Sequence, residues 1–156
     1  MTPAVKTAQK KKIKYTLHEY QHDASTDSYG MEAAEKLGVA PERVFKTLVV
    51  SLDKKSLAVC IIPVNAMLSM KKAAKAAGAK KAAMAKPDEV QRSTGYVLGG
   101  VSPLGQKKRL PTFLDISAQV AETVFVSAGR RGMDLELKPQ ALLEATGGSF
   151  ADLEQE

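Results

Sequence analysis

Ser93-Thr94-Gly95-Tyr96-Val97-Leu98-Gly99-Gly100-Val101-Ser102-Pro103-Leu104-Gly105-Gln106-Lys107-Lys108-Arg109 carries more information than any other stretch of this chain. Four glycines and one proline fall inside eleven residues, a density no regular helix tolerates. Glycine lets the backbone enter positive φ and approach a ligand closely, and proline fixes the exit direction. Two hydroxyl residues precede the segment and a Lys-Lys-Arg triplet follows it. Exposed N–H groups beside cations suit a phosphate or a ribose. The same composition also suits a plain glycine-rich hairpin with a basic end.

Upstream of this segment, Pro87-Asp88-Glu89 opens a short helix with acids at its positive end. Before that, Ser69 caps a helix that Gly78 ends. There Met70, Ala73, Ala74 and Ala77 share one face, and Lys71, Lys72 and Lys75 take the other. Residues 57–63 and 44–52 read as strands, the second a β-branched and apolar run with Lys46 inside it. An interior lysine must be paired or serve a ligand, because its charge is costly to bury alone; on an edge strand it simply faces solvent. Met31 to Leu37 reads as a short helix stopped by Gly38, residues 21–30 as loop, and Lys14 to Tyr20 as a strand. Thr2-Pro3 caps and opens a first helix running to about Lys11.

Downstream, Leu110 to Ile116 and Glu122 to Ser127 read as strands, with a turn or short helix near Ser117 between them. Asp134 to Leu137 reads as a short strand, and Pro139 opens a last helix ended by Gly147-Gly148. Strands and helices mix without regular βαβ alternation. The expected fold class is therefore α+β: a mixed, partly closed, barrel-like sheet with peripheral helices. Residues 1–156 are expected to form a single domain, since no linker or internal repeat divides them.

Composition narrows the partners. The balance of 23 basic and 17 acidic residues gives a net charge of +6, which favours a polyanion. The charge is clustered at Lys10-Lys11-Lys12, Lys71-Lys72, Lys80-Lys81, Lys107-Lys108-Arg109 and Arg130-Arg131. No segment has the ~18–20 apolar residues of a membrane span, so no membrane partner and a cytoplasmic location are expected. Cys60 is the only cysteine and lies in an apolar run, as a packed core thiol does. His18 and His22 have a metal-compatible spacing, but one follows a strand pattern and the other precedes a loop. No metal and no cofactor are expected. The usual catalytic motifs are missing: no Gly-x-Ser-x-Gly elbow, no Walker loop, no zinc signature. An enzyme with this sequence must rely on positioning and electrostatics, with its substrate supplying reactivity.

Several of these stretches, with Phe45-Lys46-Thr47-Leu48, the glycine segment and Ser127-Ala128-Gly129-Arg130-Arg131-Gly132 foremost, resemble the bacterial YbaK-type Cys-tRNA(Pro) deacylases. These belong to the superfamily of prolyl-tRNA synthetase editing domains. The resemblance spans nearly the whole chain. It implies a barrel-like mixed sheet and a deacylase that acts in trans on tRNA carrying the wrong amino acid, in transient association with prolyl-tRNA synthetase. It also implies site roles. Lys46 matches the functional lysine, and Tyr20 and Thr47 its polar neighbours. Gly99, Gly100 and Pro103 match the glycine-to-proline loop, Ser127 and Gly129 a second loop, and Asp134 an acidic site residue. Each has a plainer alternative: Tyr20 as a core edge residue, Thr47 as a strand former, Ser127 as a strand end, Asp134 as an ion-pair partner of Arg130 or Arg131. Ala128 stands where the family more often has glycine, and Met31 where close relatives carry an acid. A deacylase of Ala-tRNA(Pro) or another small aminoacyl ester, and a non-catalytic tRNA-binding module, are the competing readings.

Overall fold

The computed structural model describes residues 1–26 and 28–156; Asp27, in the expected loop, lies outside the described residues. The chain opens with α1 (Pro3–Lys10), capped as expected by the Thr2 hydroxyl, which accepts from the Val5 N–H at 3.2 Å. It continues with β1 (Thr16–Glu19), α2 (Tyr29–Leu37), β2 (Phe45–Leu52) and β3 (Ser56–Pro63). Next come α3 (Met70–Ala77), β4 (Ala82–Met84) and α4 (Pro87–Thr94). After the glycine segment follow β5 (Thr112–Asp115), β6 (Val124–Arg130), β7 (Met133–Leu137), α5 (Pro139–Thr146) and β8 (Ser149–Ala151).

Among the described residues the strands form two sheets, a three-stranded one in the order β1-β7-β6 and a five-stranded one in the order β4-β2-β3-β5-β8. The second is mixed: β3 pairs antiparallel with β2 and parallel with β5. The sheets do not close into a barrel, but Val44, just before β2, bridges Phe125 of β6 in parallel. The fold is thus α+β, with one mixed and one antiparallel sheet that do not close fully.

Strand alternation sorts the side chains. Phe45 and Val49 of β2, Val59 and Ile61 of β3, and Val124, Val126 and Ala128 of β6 enter one main core with α1 and α5. Val50, Leu52, Cys60 and Ile62 point to the opposite face, where the alanine stripe of α3 covers them. The small alanines let the helix sit close to the sheet. A third cluster joins Ala33 and Ala34 of α2 to Val44, Val64 and Phe125, at the seam between the sheets.

Three local expectations need correction. Helix α2 begins at Tyr29, two residues before Met31, and so contains Gly30. A Cβ at Gly30 would collide with the Val64 side chain, so glycine is accepted inside the helix to bring it close to β3. Strands β4 and β8 were not expected: each is three residues long, too short to show alternation. Ser93 and Thr94 belong to α4 and are buried, at 2% and 1% exposure. Their hydroxyls donate to the Glu89 and Val90 carbonyls at 2.7 Å, so they finish a helix and are not free for a ligand.

Candidate functional site

A hollow of about 290 Å³ opens at the seam between the sheets. Residues 45–48 of β2 form one wall, and Ser127 of β6 and Asp134 of β7 another. Tyr20, the start of α2, and Leu98, Gly99 and Val101 of the glycine segment complete it. Ser127 and Asp134 face each other in the β6–β7 register, so one pairing fixes both. Beyond Ser127 that register shifts in a bulge before Arg130. Gly129, with φ +108°, occupies the bulge and donates its N–H to the Ser127 Oγ at 3.1 Å.

Of the nine residues expected in the site, Lys46, Tyr20, Thr47, Asp134, Gly99 and Ser127 line this hollow. Gly100, Pro103 and Gly129 do not. Gly100 is buried against β6, where a Cβ would lie 3.1 Å from the Arg130 Cα. It serves a close approach of loop to strand. Pro103 borders a separate hollow with Lys11, Lys108 and Arg109.

Three polar side chains of the main hollow, Lys46, Thr47 and Asp134, have no hydrogen-bond or ion-pair partner among the described residues. Burial lowers the pKa of the Lys46 ammonium, and no opposing charge enters that shift. Asp134, 6% exposed, has its carboxyl pushed up to about 7 by burial. The Tyr20 phenol is raised to about 12, first by burial and then by the nearby Asp134 charge. The Thr47 Oγ1 is buried with no hydrogen-bond partner among the described residues. Buried polar groups normally find partners, so the open Thr47 hydroxyl, with a half-buried lysine and a carboxyl that bond to no group among the described residues, makes this hollow suited to a polar ligand. Neither arginine neutralises Asp134: Arg130 Nε contacts the Met133 sulfur at 2.7 Å, and the Arg131 guanidinium lies 3.8 Å from the Tyr29 ring centroid.

That Arg131–Tyr29 stack was not anticipated from sequence. It forms one rim, with Arg131 also donating to the Leu98 carbonyl at 3.2 Å. It explains Gly99, whose φ is +87° and whose Cβ would lie 2.6 Å from the Tyr29 ring. The available signal was a lone aromatic at the end of a polar loop.

The thiol and the imidazoles lie elsewhere. Cys60 is fully buried under α3, and burial raises its pKa to about 12. His18 Nε2 meets Glu136 at 2.9 Å and His22 Nδ1 meets Glu32 at 2.7 Å. Among the described residues no group of three His, Cys, Asp or Glu side chains is disposed to hold a metal. No helix among them is long and apolar enough to cross a membrane.

A partly desolvated cation, a protonatable carboxyl and glycine-loop backbone thus line one hollow. Residues 24–145 match the family model of the aminoacyl-tRNA editing domain. The chain is 42% identical over 97% of its length to the Enterococcus faecalis protein named "Putative Cys-tRNA(Pro)/Cys-tRNA(Cys) deacylase EbsC", covering 92% of that protein. It superposes with a TM-score of 0.84 and 25% identity on a structure described as "a putative trans-editing enzyme for prolyl tRNA synthetase", spanning 100% of this chain and 99% of that one. The hypothetical protein APE2540 superposes with a TM-score of 0.87 and 27% identity, spanning 99% and 100% of the two chains. The chain belongs to the aminoacyl-tRNA editing domain family, and its class of activity is aminoacyl-tRNA deacylation.

Proposed function

We propose that this protein acts in trans to remove cysteine wrongly attached to tRNA(Pro), in transient association with prolyl-tRNA synthetase, and that the substrate's own thiol cleaves the ester. One observation carries the reading. The hollow offers a partly desolvated lysine, an unpartnered hydroxyl and a protonatable aspartate, but among the described residues its lining holds no cysteine or histidine. The name of the Enterococcus relative supports the choice of substrate. So does a physical need: cysteine and proline are close in size, and a contact on the scale of one methylene discriminates by only ~1–3 kcal/mol.

The chemistry then runs as follows. A free thiol titrates near about 8.5, so a few per cent is thiolate at neutral pH, and thiolate is intrinsically reactive. Folded back on its own carbonyl, the sulfur attacks the ester carbon. The C–S bond forms, the bond from carbon to the ribose oxygen breaks, and that oxygen takes up a proton equivalent to the one the thiol lost. Water opens the cyclic thioester and releases cysteine. Lys46 and glycine-loop N–H groups stabilise the negative charge that develops on carbonyl and leaving oxygens. Asp134, titrating near 7, holds a proton within range of that need. Holding thiol and carbonyl together provides the rate through proximity.

The test compares cysteinyl-, seryl- and alanyl-tRNA(Pro), following ester loss. The cysteinyl ester should be cleaved at least ~100-fold faster than the nearly isosteric seryl ester, because proximity helps only a reactive nucleophile. Cys60→Ala should retain activity. Seryl and cysteinyl esters cleaved at equal rates would sink the thiol mechanism and point to water activated by Asp134. Faster loss of the alanyl ester would reassign the substrate.

A further inference from the structure

The glycine segment has two ends, and only the first borders the acyl hollow. Its second end, with Pro103, Gly105, Lys108 and Arg109, borders a hollow of about 210 Å³ together with Thr7 and Lys11 at the end of α1. No acid lines it. Lys11, Lys108 and Arg109 form no ion pair among the described residues. Lys80, Lys81, Arg130 and Arg131 are likewise without ion pairs among the described residues, whereas other basic residues are taken up. Lys72 is taken up by Asp152 at 3.1 Å and Glu156 at 3.6 Å, and Arg43 by Glu136 at 3.4 Å.

The cations are held in place by backbone. The Lys107 and Lys108 N–H groups donate to the Thr94 and Ser93 carbonyls at 3.1 and 2.9 Å, which ties the basic triplet to the end of α4. The triplet then divides. The Lys107 stem lies over Gly95, where a Cβ would come 3.2 Å from it, so Lys107 is outside the hollow while Lys108 and Arg109 line it. The Arg109 guanidinium rests against the backbone of Gly147, the left-handed C-cap of α5, where a Cβ would collide with it. The polar neighbours are already satisfied. Thr112 and Thr146 hydroxyls donate to the Leu110 and Leu142 carbonyls at 3.0 and 2.9 Å, and Gln106 Nε2 donates to the Ser102 carbonyl at 3.0 Å. The open charge in this lining is positive, from Lys11, Lys108 and Arg109.

We infer that this hollow seats phosphodiester groups of the tRNA backbone while the 3′ end occupies the acyl hollow at the other end of the same segment. The inference rests on tRNA being the substrate. Three unopposed cations around a concave surface fit phosphate oxygens, and the absence of a lining acid removes the repulsion that a polyanion would otherwise meet. The shared segment links the two sites: Gly99 at one end and Arg109 at the other are parts of one loop pinned between α4, β6 and α1.

The test uses the full chain carrying Lys11→Gln, Lys108→Gln and Arg109→Gln. Binding of uncharged tRNA is measured across a salt series. Cleavage is measured on full-length Cys-tRNA(Pro) and on a cysteinyl ester of adenosine. Losing three phosphate contacts at about 0.7–0.9 each should make the log–log salt slope shallower by about 2.1–2.7. The kcat/KM for the full-length substrate should fall at least ~10-fold, mainly through KM, with the adenosine ester cleaved within about twofold of the parent rate. A parental salt slope and KM would overturn the inference, as would an equal loss on both substrates. Because Arg109 also supports the α5 cap, the Lys11→Gln/Lys108→Gln double variant is measured in parallel, with an expected slope change of about 1.4–1.8. If the parent protein cleaves neither ester, the deacylase reading fails, while the salt slopes still decide this one.

Discussion

Two carboxylates expose almost equally little surface, Glu32 at 5% and Asp134 at 6%, but Glu32 sits near the protein surface and Asp134 deeper, lining the main hollow, and they titrate in opposite directions. Glu32, on α2, accepts from His22 Nδ1 at 2.7 Å, the Asp23 N–H at 2.7 Å and the Thr26 hydroxyl at 3.2 Å, and pairs with Lys36 at 3.1 Å. Burial alone would raise its pKa, but these partners together hold it down to about 2. Asp134, on β7, has burial as the sole cause of its shift and rises to about 7. The first is a clamp that fastens the loop before α2 to that helix. The second is a group kept in an unfavourable state in the same hollow that Lys46 and Thr47 line, and these too have no partner among the described residues. Depth and partners act in the same direction here: Glu32 lies near the surface with four partners, and Asp134 lies deep with none among the described residues.

The sharpest way to break the contrast is Lys46→Ala. If the unpartnered groups are kept for substrate, deacylation should fall by about 10³-fold, comparable to removal of one preorganised charge-stabilising group. The protein should stay folded, because loss of a desolvated cation relieves the fold. Near-normal rates in a folded variant, by single-turnover assay, would place the chemistry elsewhere.

A smaller effect separates the two acids by stability. The folded pKa of Glu32 lies below its ordinary value, so its contribution is present above about pH 4.5 and is lost as pH falls toward 2. Glu32→Gln should cost about 2–3 kcal/mol at pH 7, since several charge-assisted bonds weaken together. Asp134 has the opposite sign. The folded state binds its proton more tightly than the unfolded chain, so stability declines as pH rises from about 3.8 to about 7. Asp134→Asn should leave stability at pH 4 nearly unchanged and raise it at pH 8 by on the order of 1–4 kcal/mol. Denaturant melts at the two pH values check both signs.

The same contrast explains what could be read from sequence. The glycine segment, the capped helices and strands β2 and β3 announce themselves through local chemistry: Gly38 and Gly78 stop helices in the left-handed conformation, and Thr2 and Ser69 accept at helix starts. Lys46 stands out because an apolar strand surrounds it. The pairing that sets Ser127 against Asp134 is a register between strands, which no local pattern encodes. The Glu32 clamp gathers His22, Asp23, Thr26 and Lys36 from a loop and a helix, and only the folded chain brings them together. Gly100 looked like a ligand-facing glycine, yet its reason is the Arg130 backbone beside it. Short β4 and β8 exist because neighbouring strands offer them edges, with β4 on β2 and β8 on β5.

The most direct measurement is a carbon-13 NMR titration of the side-chain carboxyls, following Glu32 and Asp134 in one sample of the free protein. The account predicts a midpoint near 7 for Asp134 and one near 2 for Glu32. Asp134 titrating in the ordinary range near 4 would mean that it has found a partner or water, and would contradict the claim that the hollow holds its polar groups unpartnered for a substrate.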